Sequence, residues 1–214
     1  GYDPAGLTDE QIRALLLESG LWTALRRRPF GKIASPGDAP QAIVVNAMDS
    51  YPLAASPDLA WPGNEEFFEK GLLCISKLTR GDVYLCRHPS SAITAGPHSG
   101  VKIEEFEGPH PVGTIGFQNH TLVPAGRDKV VWHLDCQDVV AIGKLFATGQ
   151  LDVTRIVSLA GPSVRNPRVI RTRQGACLNE LVSDEITPGE QRVVSGSVLC
   201  GRDAQGDVHG YLGR

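Results

Sequence analysis

One stretch constrains this chain more than any other: Ala42-Ile43-Val44-Val45-Asn46-Ala47-Met48 is continuously apolar apart from a single Asn. A half-exposed strand alternates apolar and polar residues with a period of two, and this run does not. It reads as a strand covered on both faces, the central member of a parallel sheet, ending in the turn Asp49-Ser50-Tyr51-Pro52. Parallel strands need crossover helices, so helix and strand should alternate around it. Upstream, Thr8-Asp9-Glu10-Gln11 forms a capping box, with Ile12, Leu15 and Leu16 at helical spacing and Gly20 at the C-terminal end. Downstream, Glu65 to Leu78 reads as a helix with Phe68, Leu72 and Ile75 inward, followed by a strand at Val83–Cys86. Val101–Phe106 alternates as an edge strand should. Asp135 stands at the N-cap of a helix carrying Val139, Val140, Ile142, Leu145 and Phe146, which Gly149 closes.

This pattern predicts a Rossmann-like α/β domain over residues 1–150. Beyond it the texture changes to Ile156–Gly161, Pro167–Arg173, a short helix near Leu178–Val182 and Val193–Ser197. Hairpin, helix and strand in that order predict a small β-grasp-like domain over residues 151–214. Charge changes at the same place: 13 basic against 17 acidic side chains before residue 151, and 8 against 7 after it. The start, Gly1-Tyr2-Asp3-Pro4, has no initiator Met and Tyr211–Arg214 reads as the middle of a strand, so the chain is expected to be an excised piece, truncated at its C-terminal end.

A net charge of -3 gives no field to gather nucleic acid, so no nucleic-acid partner is expected. The apolar runs fall short of the roughly 18 residues a membrane span requires. Cys74, Cys86, Cys136, Cys177 and Cys200 include no C-x-x-C pair and read as reduced thiols packed as small hydrophobes. His88, His98, His110, His120, His133 and His209 lack metal-ligand spacing and read as surface or hydrogen-bonded histidines; no metal is expected.

The densest chemical signal is Leu21 to Lys32. Arg26, Arg27, Arg28 and Lys32 interleave with Trp22, Pro29 and Phe30, a composition that can bind an anion or hold a planar carbonyl compound on an aromatic surface. A solvated basic loop over buried aromatics, with Phe30 in the core, is the structural alternative. The segment's place directly before the first central strand favours a ligand role only if this loop curls over that strand's carboxyl end. Neither G-x-G-x-x-G nor G-x-x-x-x-G-K-[ST] occurs, and Gly108, Gly113 and Gly116 read as turn residues. Arg165, Arg168, Arg171 and Arg173 on the later hairpin suit either a partner or lipid surface, or a strand edge blunted by charge.

Several stretches carry a resemblance. Glu18-Ser19-Gly20-Leu21-Trp22-Thr23-Ala24, Arg28-Pro29-Phe30, Val45–Asp49, Trp132-His133-Leu134, Gln137-Asp138-Val139, Ala141–Phe146 and Ser158–Pro162 together resemble the A-subunit family of bacterial sodium-translocating NADH:quinone oxidoreductases. The likeness runs from Leu7 to Arg214, and Trp-Thr-Ala through Arg-Pro-Phe is its most specific part. Members have an additional domain before this region and more chain after it. The family is in turn distantly similar to the flavin-binding subunit of complex I, where a glycine-rich loop stands in place of Leu21–Lys32.

The resemblance implies a Rossmann-like domain without its flavin loop, then a β-grasp domain of the soluble-ligand-binding type. It implies a peripheral, non-flavin subunit on the cytoplasmic face of the bacterial inner membrane, contributing to quinone interaction and assembly in a sodium-transporting respiratory enzyme. The fragment alone is then non-catalytic and binds no cofactor; NADH oxidation belongs to the other subunits, its partners, and a quinone such as ubiquinone is the substrate of the complex. Quinone contact is expected from Trp22, Leu25, Arg26, Arg28, Pro29, Phe30 and Lys32. One departure stands out: where His-x-His is expected, this chain has Gln118-Asn119-His120. A self-sufficient α/β oxidoreductase binding flavin or NAD(H), and a purely structural docking module, are the competing readings.

Overall fold

Ala42–Ala47 is the third strand (β3) of a six-stranded sheet, and its side chains are buried on both sides except for half-buried Asn46. The computed structural model describes residues 2–97, 100–126, 129–204 and 210–213. The sheet also contains β1 (Arg26–Arg28), β2 (Lys32–Ile33), β4 (Asp82–Arg87), β5 (Lys102–Glu105) and β6 (Val131–Asp135), in the order β2-β1-β6-β3-β4-β5. Strands β6, β3, β4 and β5 run parallel, while β1 lies antiparallel to β6, and β2 to β1. The mixed α/β class read from the sequence is therefore present, with β5 at the edge.

Helices α1 (Asp9–Glu18), α2 (Glu65–Ser76) and α4 (Cys136–Thr148) pack with one face of the sheet around a cluster that includes Ile12, Leu16, Ile43, Val45, Phe68, Leu72, Trp132 and Phe146. The capping box is formed: the Thr8 hydroxyl accepts from the Gln11 amide at 3.3 Å, and the Thr8 amide donates to Gln11 Oε1 at 2.9 Å. Helices α2 and α4 meet backbone to backbone. A Cβ on Gly143 would collide with the Phe67 carbonyl, and one on Gly71 with the carbonyl of Val139, so only glycine fits at either position. Asp135 occupies the N-cap of α4, although its side chain makes no capping hydrogen bond, and Gly149 closes the helix at φ 76°.

The other face is covered by one short helix, α3 (Ile115–Leu122), whose N-cap Thr114 accepts from the Phe117 amide. Under it lies a smaller cluster of Ala42, Val44, Met48, Cys86, Phe106, Val112 and Val131.

The chain clusters into two units, Gly1–Ser50 with Pro57–Asp152, and Tyr51–Ser56 with Val153–Arg214. The second unit has an antiparallel hairpin of β7 (Thr154–Leu159) and β8 (Arg168–Arg173), then helix α5 (Leu178–Val182) and the short antiparallel pair β9 (Val194–Ser195) and β10 (Arg202–Asp203). Arg155 is buried within it, donating to the Thr154 carbonyl and to Gln174 Oε1. Arg168 is neutralised by both carboxylate oxygens of Glu185.

Two parts of the sheet differ from the sequence reading. Leu21–Lys32 is not a loop: Leu21–Ala24 is a 3-10 turn, followed by the β1–β2 hairpin. β6, unread in the sequence, supplies its partner. Three consecutive arginines have no β propensity of their own, and they are extended because β6 offers backbone donors and acceptors along that edge.

Candidate functional site

Strand register decides what the basic segment can present. Arg26, Arg27 and Arg28 stand opposite His133, Trp132 and Val131 of β6, and paired residues share a face. Arg27 thus falls on the α2/α4 side with Trp132 and is neutralised by Asp38 at 3.1 Å. Arg26 and Arg28 fall on the α3 side with His133. Trp22 and Leu25 belong to the core of the α2/α4 side, 3% and 0% exposed. The Trp22 indole donates to the Ala34 carbonyl at 2.8 Å, meets Trp132 edge-on at 5.5 Å, and shares the Arg13 guanidinium with it. These two residues of the expected contact set are packing residues and offer no surface to a ligand, which corrects that part of the sequence reading.

The remainder divides in two. Pro29, Phe30 and Lys32 are exposed at the hairpin turn, and Phe30, 77% exposed, is not the core residue of the structural alternative. Because Arg28 opposes the first residue of β6, and β6 parallels β3, this turn lies at the amino end of the parallel strands. It does not curl over their carboxyl end, so its place before the central strand adds nothing to a ligand role, which rests on the composition and exposure of the turn.

Arg26 and Arg28 border a polar corner beside α3. His133 is half-buried there. Burial first, then the Arg28 and Arg26 charges, push its pKa down to about 4, so the ring is neutral at pH 7. The buried atoms His133 Nε2, Arg28 Nε, Gln118 Oε1 and Asn119 Oδ1 make no hydrogen bond among the described residues. Gln118 is tied at its other end, donating to Asn46 Oδ1 at 2.9 Å. One Arg28 Nη reaches Gly116, 3.7 Å from where a Cβ would stand.

The carboxyl ends of β3 and β6 flank the point where strand order reverses, the usual ligand crevice of an open α/β sheet. Here the chain's own loop is laced across it. Ser50 Oγ accepts from the Gly113 amide at 2.9 Å, and His110 Nδ1 lies 3.1 Å from Ser50 Oγ. Gly113 has no room for a side chain, since a Cβ would stand 2.5 Å from the Ser50 nitrogen. The first turn of α4 adds the carboxylates of Asp135 and Asp138, the opposite sign from what a pyrophosphate needs at a helix N-terminus.

Among the described residues no group of three His, Cys, Asp or Glu side chains is placed to hold a metal, and no helix is long and apolar enough to cross a membrane. His98 and His209 lie outside the described residues. Cys74, Cys86 and Cys136 are buried; burial pushes the first two thiols up to about 12 and the third upward as well. Cys200 is exposed and Cys177 partly so, departing from the expectation of five packed thiols.

His133, Gln118 and Asn119 were not singled out as site residues by the sequence reading, and His133 is neither a surface nor a fully hydrogen-bonded histidine. The signal available was Val130-Val131-Trp132-His133-Leu134, a strand-like run in which one titratable residue interrupts β-branched and aromatic neighbours.

Comparison with known proteins gives a consistent picture. Residues 7–151 match the family described as NqrA second alpha/beta domain, and residues 156–206 match NQRA C-terminal domain. The A subunit of the Na(+)-translocating NADH-quinone reductase of Pasteurella multocida (strain Pm70) is 49% identical over 97% of this chain and 46% of its own length. Its counterpart in Actinobacillus pleuropneumoniae serotype 5b (strain L20) is 50% identical over 98% of this chain and 47% of its own. The chain therefore spans about half the length of these curated relatives. A solved NAD+-reducing [NiFe]-hydrogenase in the H2-reduced state shares the fold with a TM-score of 0.57, at 13% identity, over 88% of this chain and 41% of that chain.

Proposed function

The chain belongs to the A-subunit (NqrA) family of Na(+)-translocating NADH-quinone reductases, and from that premise we propose that it is the part of such a subunit that contributes to quinone contact and assembly without carrying a flavin. In this reading it sits peripherally at the cytoplasmic face of the membrane, NADH oxidation belongs to the other subunits, and this chain by itself turns nothing over. The observation that carries the non-flavin reading is the hairpin: a segment that would need glycines to let a phosphate approach its backbone is instead strand, occupied by three arginines and sealed to β6. The carboxylates at the start of α4 support it further, and both features count against the competing self-sufficient flavin or NAD(H) enzyme.

For quinone contact the usable members of the expected set are Pro29, Phe30 and Lys32 on the turn, with Arg26 and Arg28 behind it. A flat apolar ring with two carbonyl acceptors suits an exposed aromatic face flanked by cationic donors. Phe30→Ala tests this cleanly, because a residue so exposed contributes within about 0.5 kcal/mol to the fold. In the assembled enzyme the variant should incorporate normally and keep NADH oxidation by an artificial acceptor, while the KM for quinone rises at least severalfold. Normal incorporation with unchanged quinone kinetics would refute the assignment.

A further inference from the structure

The arginines of the sheet unit are unequally provided for. Arg13 is held by Asp9 and by the carbonyls of Pro36, Asp38 and Leu78; Arg27 pairs with Asp38; Arg87 pairs with Glu105 and donates to the carbonyls of Ser91 and Ile93. Arg26 and Arg28 are as buried as Arg27, yet among the described residues neither meets a carboxylate or any hydrogen-bond acceptor. They stand two positions apart on β1, so both side chains leave the same face, about 7 Å apart at the backbone. A half-buried charge without a counter-charge is costly, and two side by side repel as well.

We propose that Arg26 and Arg28, together with His133, form a binding site for a phosphate-type oxyanion. Two guanidinium forks and one imidazole N–H offer more donors than the two coplanar oxygens of a carboxylate can accept, whereas a tetrahedral anion with three or four oxygens matches them. Three of these nitrogens are already on the spot: Arg28 Nε and His133 Nε2 are buried without partners among the described residues, and one Arg28 Nη lies 3.7 Å from where a Cβ on Gly116 would stand. Asn119, one helical turn beyond Gly116 on the same face of α3, is 4% exposed with an unpartnered amide oxygen, and rotation of that amide turns its NH2 toward the corner. Burial, reinforced by the two guanidiniums, keeps the ring neutral, a donor that brings no third positive charge. Arg26 and Arg28 reach this corner from the sheet side whether or not the turn beyond them touches quinone, so the site does not depend on that reading.

The test titrates the chain with inorganic phosphate at constant ionic strength held by chloride. One saturable site is expected, raising the melting temperature and shifting the His133 ring-proton resonances at fixed pH. Arg26→Gln and Arg28→Gln should each weaken the affinity at least tenfold, and Arg80→Gln, at an exposed arginine elsewhere in the unit, should not. Vesicles of phosphatidic acid against phosphatidylcholine identify the source: capture by the acidic vesicles alone, lost in the two arginine variants, assigns the site to a lipid headgroup, and saturable phosphate binding without capture assigns it to a soluble anion. Phosphate without effect on the His133 resonances of the unmodified chain, or an equal effect from chloride, overturns the proposal even if the variants fail to fold.

Discussion

The two faces of the six-stranded sheet are made by the same strands and differ in almost everything else. On the α2/α4 side most large side chains join one apolar cluster, Arg27 is neutralised by Asp38 and Arg87 by Glu105, and two helices approach until their backbones touch at Gly71 and Gly143. On the α3 side one eight-residue helix covers a small apolar patch, and beside it lie Arg26 and four residues, Arg28, His133, Gln118 and Asn119, that each carry a buried atom without a partner among the described residues. Interiors are packed to crystal-like density and buried polar groups are mostly paired, and the first face comes nearer to that state, with Trp132 Nε1 and Arg27 Nε left over. The second concentrates charged and polar groups that packing alone does not call for, and it is there that the proposed anion site lies.

The same substitution on the two faces tests this contrast most severely. Gly143→Ala should destabilise the fold by about 3 kcal/mol or more, because the new methyl group meets the rigid Phe67 carbonyl and the helices must separate. Urea unfolding measures it; a loss below about 1 kcal/mol would mean the helix contact is softer than described. A second test uses acid. The His133 pKa lies below its unfolded value, so the unfolded chain binds more protons between about pH 6.5 and 4, and stability should fall as pH drops through that window. His133→Gln should flatten that part of the curve by about 2 kcal/mol after allowance for partial exposure. Coincident wild-type and variant curves would place the ring in water. The smallest effect is expected at Gly116→Ala on α3: there is space for the methyl group, and helix propensity gains up to about 1 kcal/mol. A large loss there would show α3 to be as tightly seated as α4.

What the sequence disclosed follows the same division. β3, α2 and α4 were legible because burial on one or both faces writes a period into the residues, and the capping box at Thr8 and the glycine at 149 mark helix ends chemically. The strand β6 was overlooked although its run Val130–Leu134 is strand-like, because it is short and abuts the N-cap of α4 with no turn between them; Trp132 and Leu134 enter the large core while His133 faces the side of Arg26 and Arg28. β1 is a strand by virtue of its neighbour and its register, neither of which is local. The segment Leu21–Lys32 was recognised as chemically dense but sorted wrongly for the same reason, with Trp22 and Leu25 placed beside Phe30 when they are packed in the core and Phe30 is exposed at the turn. Gln118 and Asn119 stood out only as a departure from an expected His-x-His, and no role followed from that, because an amide on a short helix is ordinary until its neighbours across the sheet are known.

The junction between β6 and α4 has no connecting residue: Asp135 ends the strand and Cys136 begins the helix. A joint without slack transmits displacement instead of absorbing it. The hairpin of β1 and β2 hangs from β6 by lateral hydrogen bonds, and α4 is locked to α2 at their shared glycines, so traction on the exposed turn at Phe30 is carried along a short, stiff train of elements into the middle of the core. Whatever grips that turn holds the whole sheet unit by a handle.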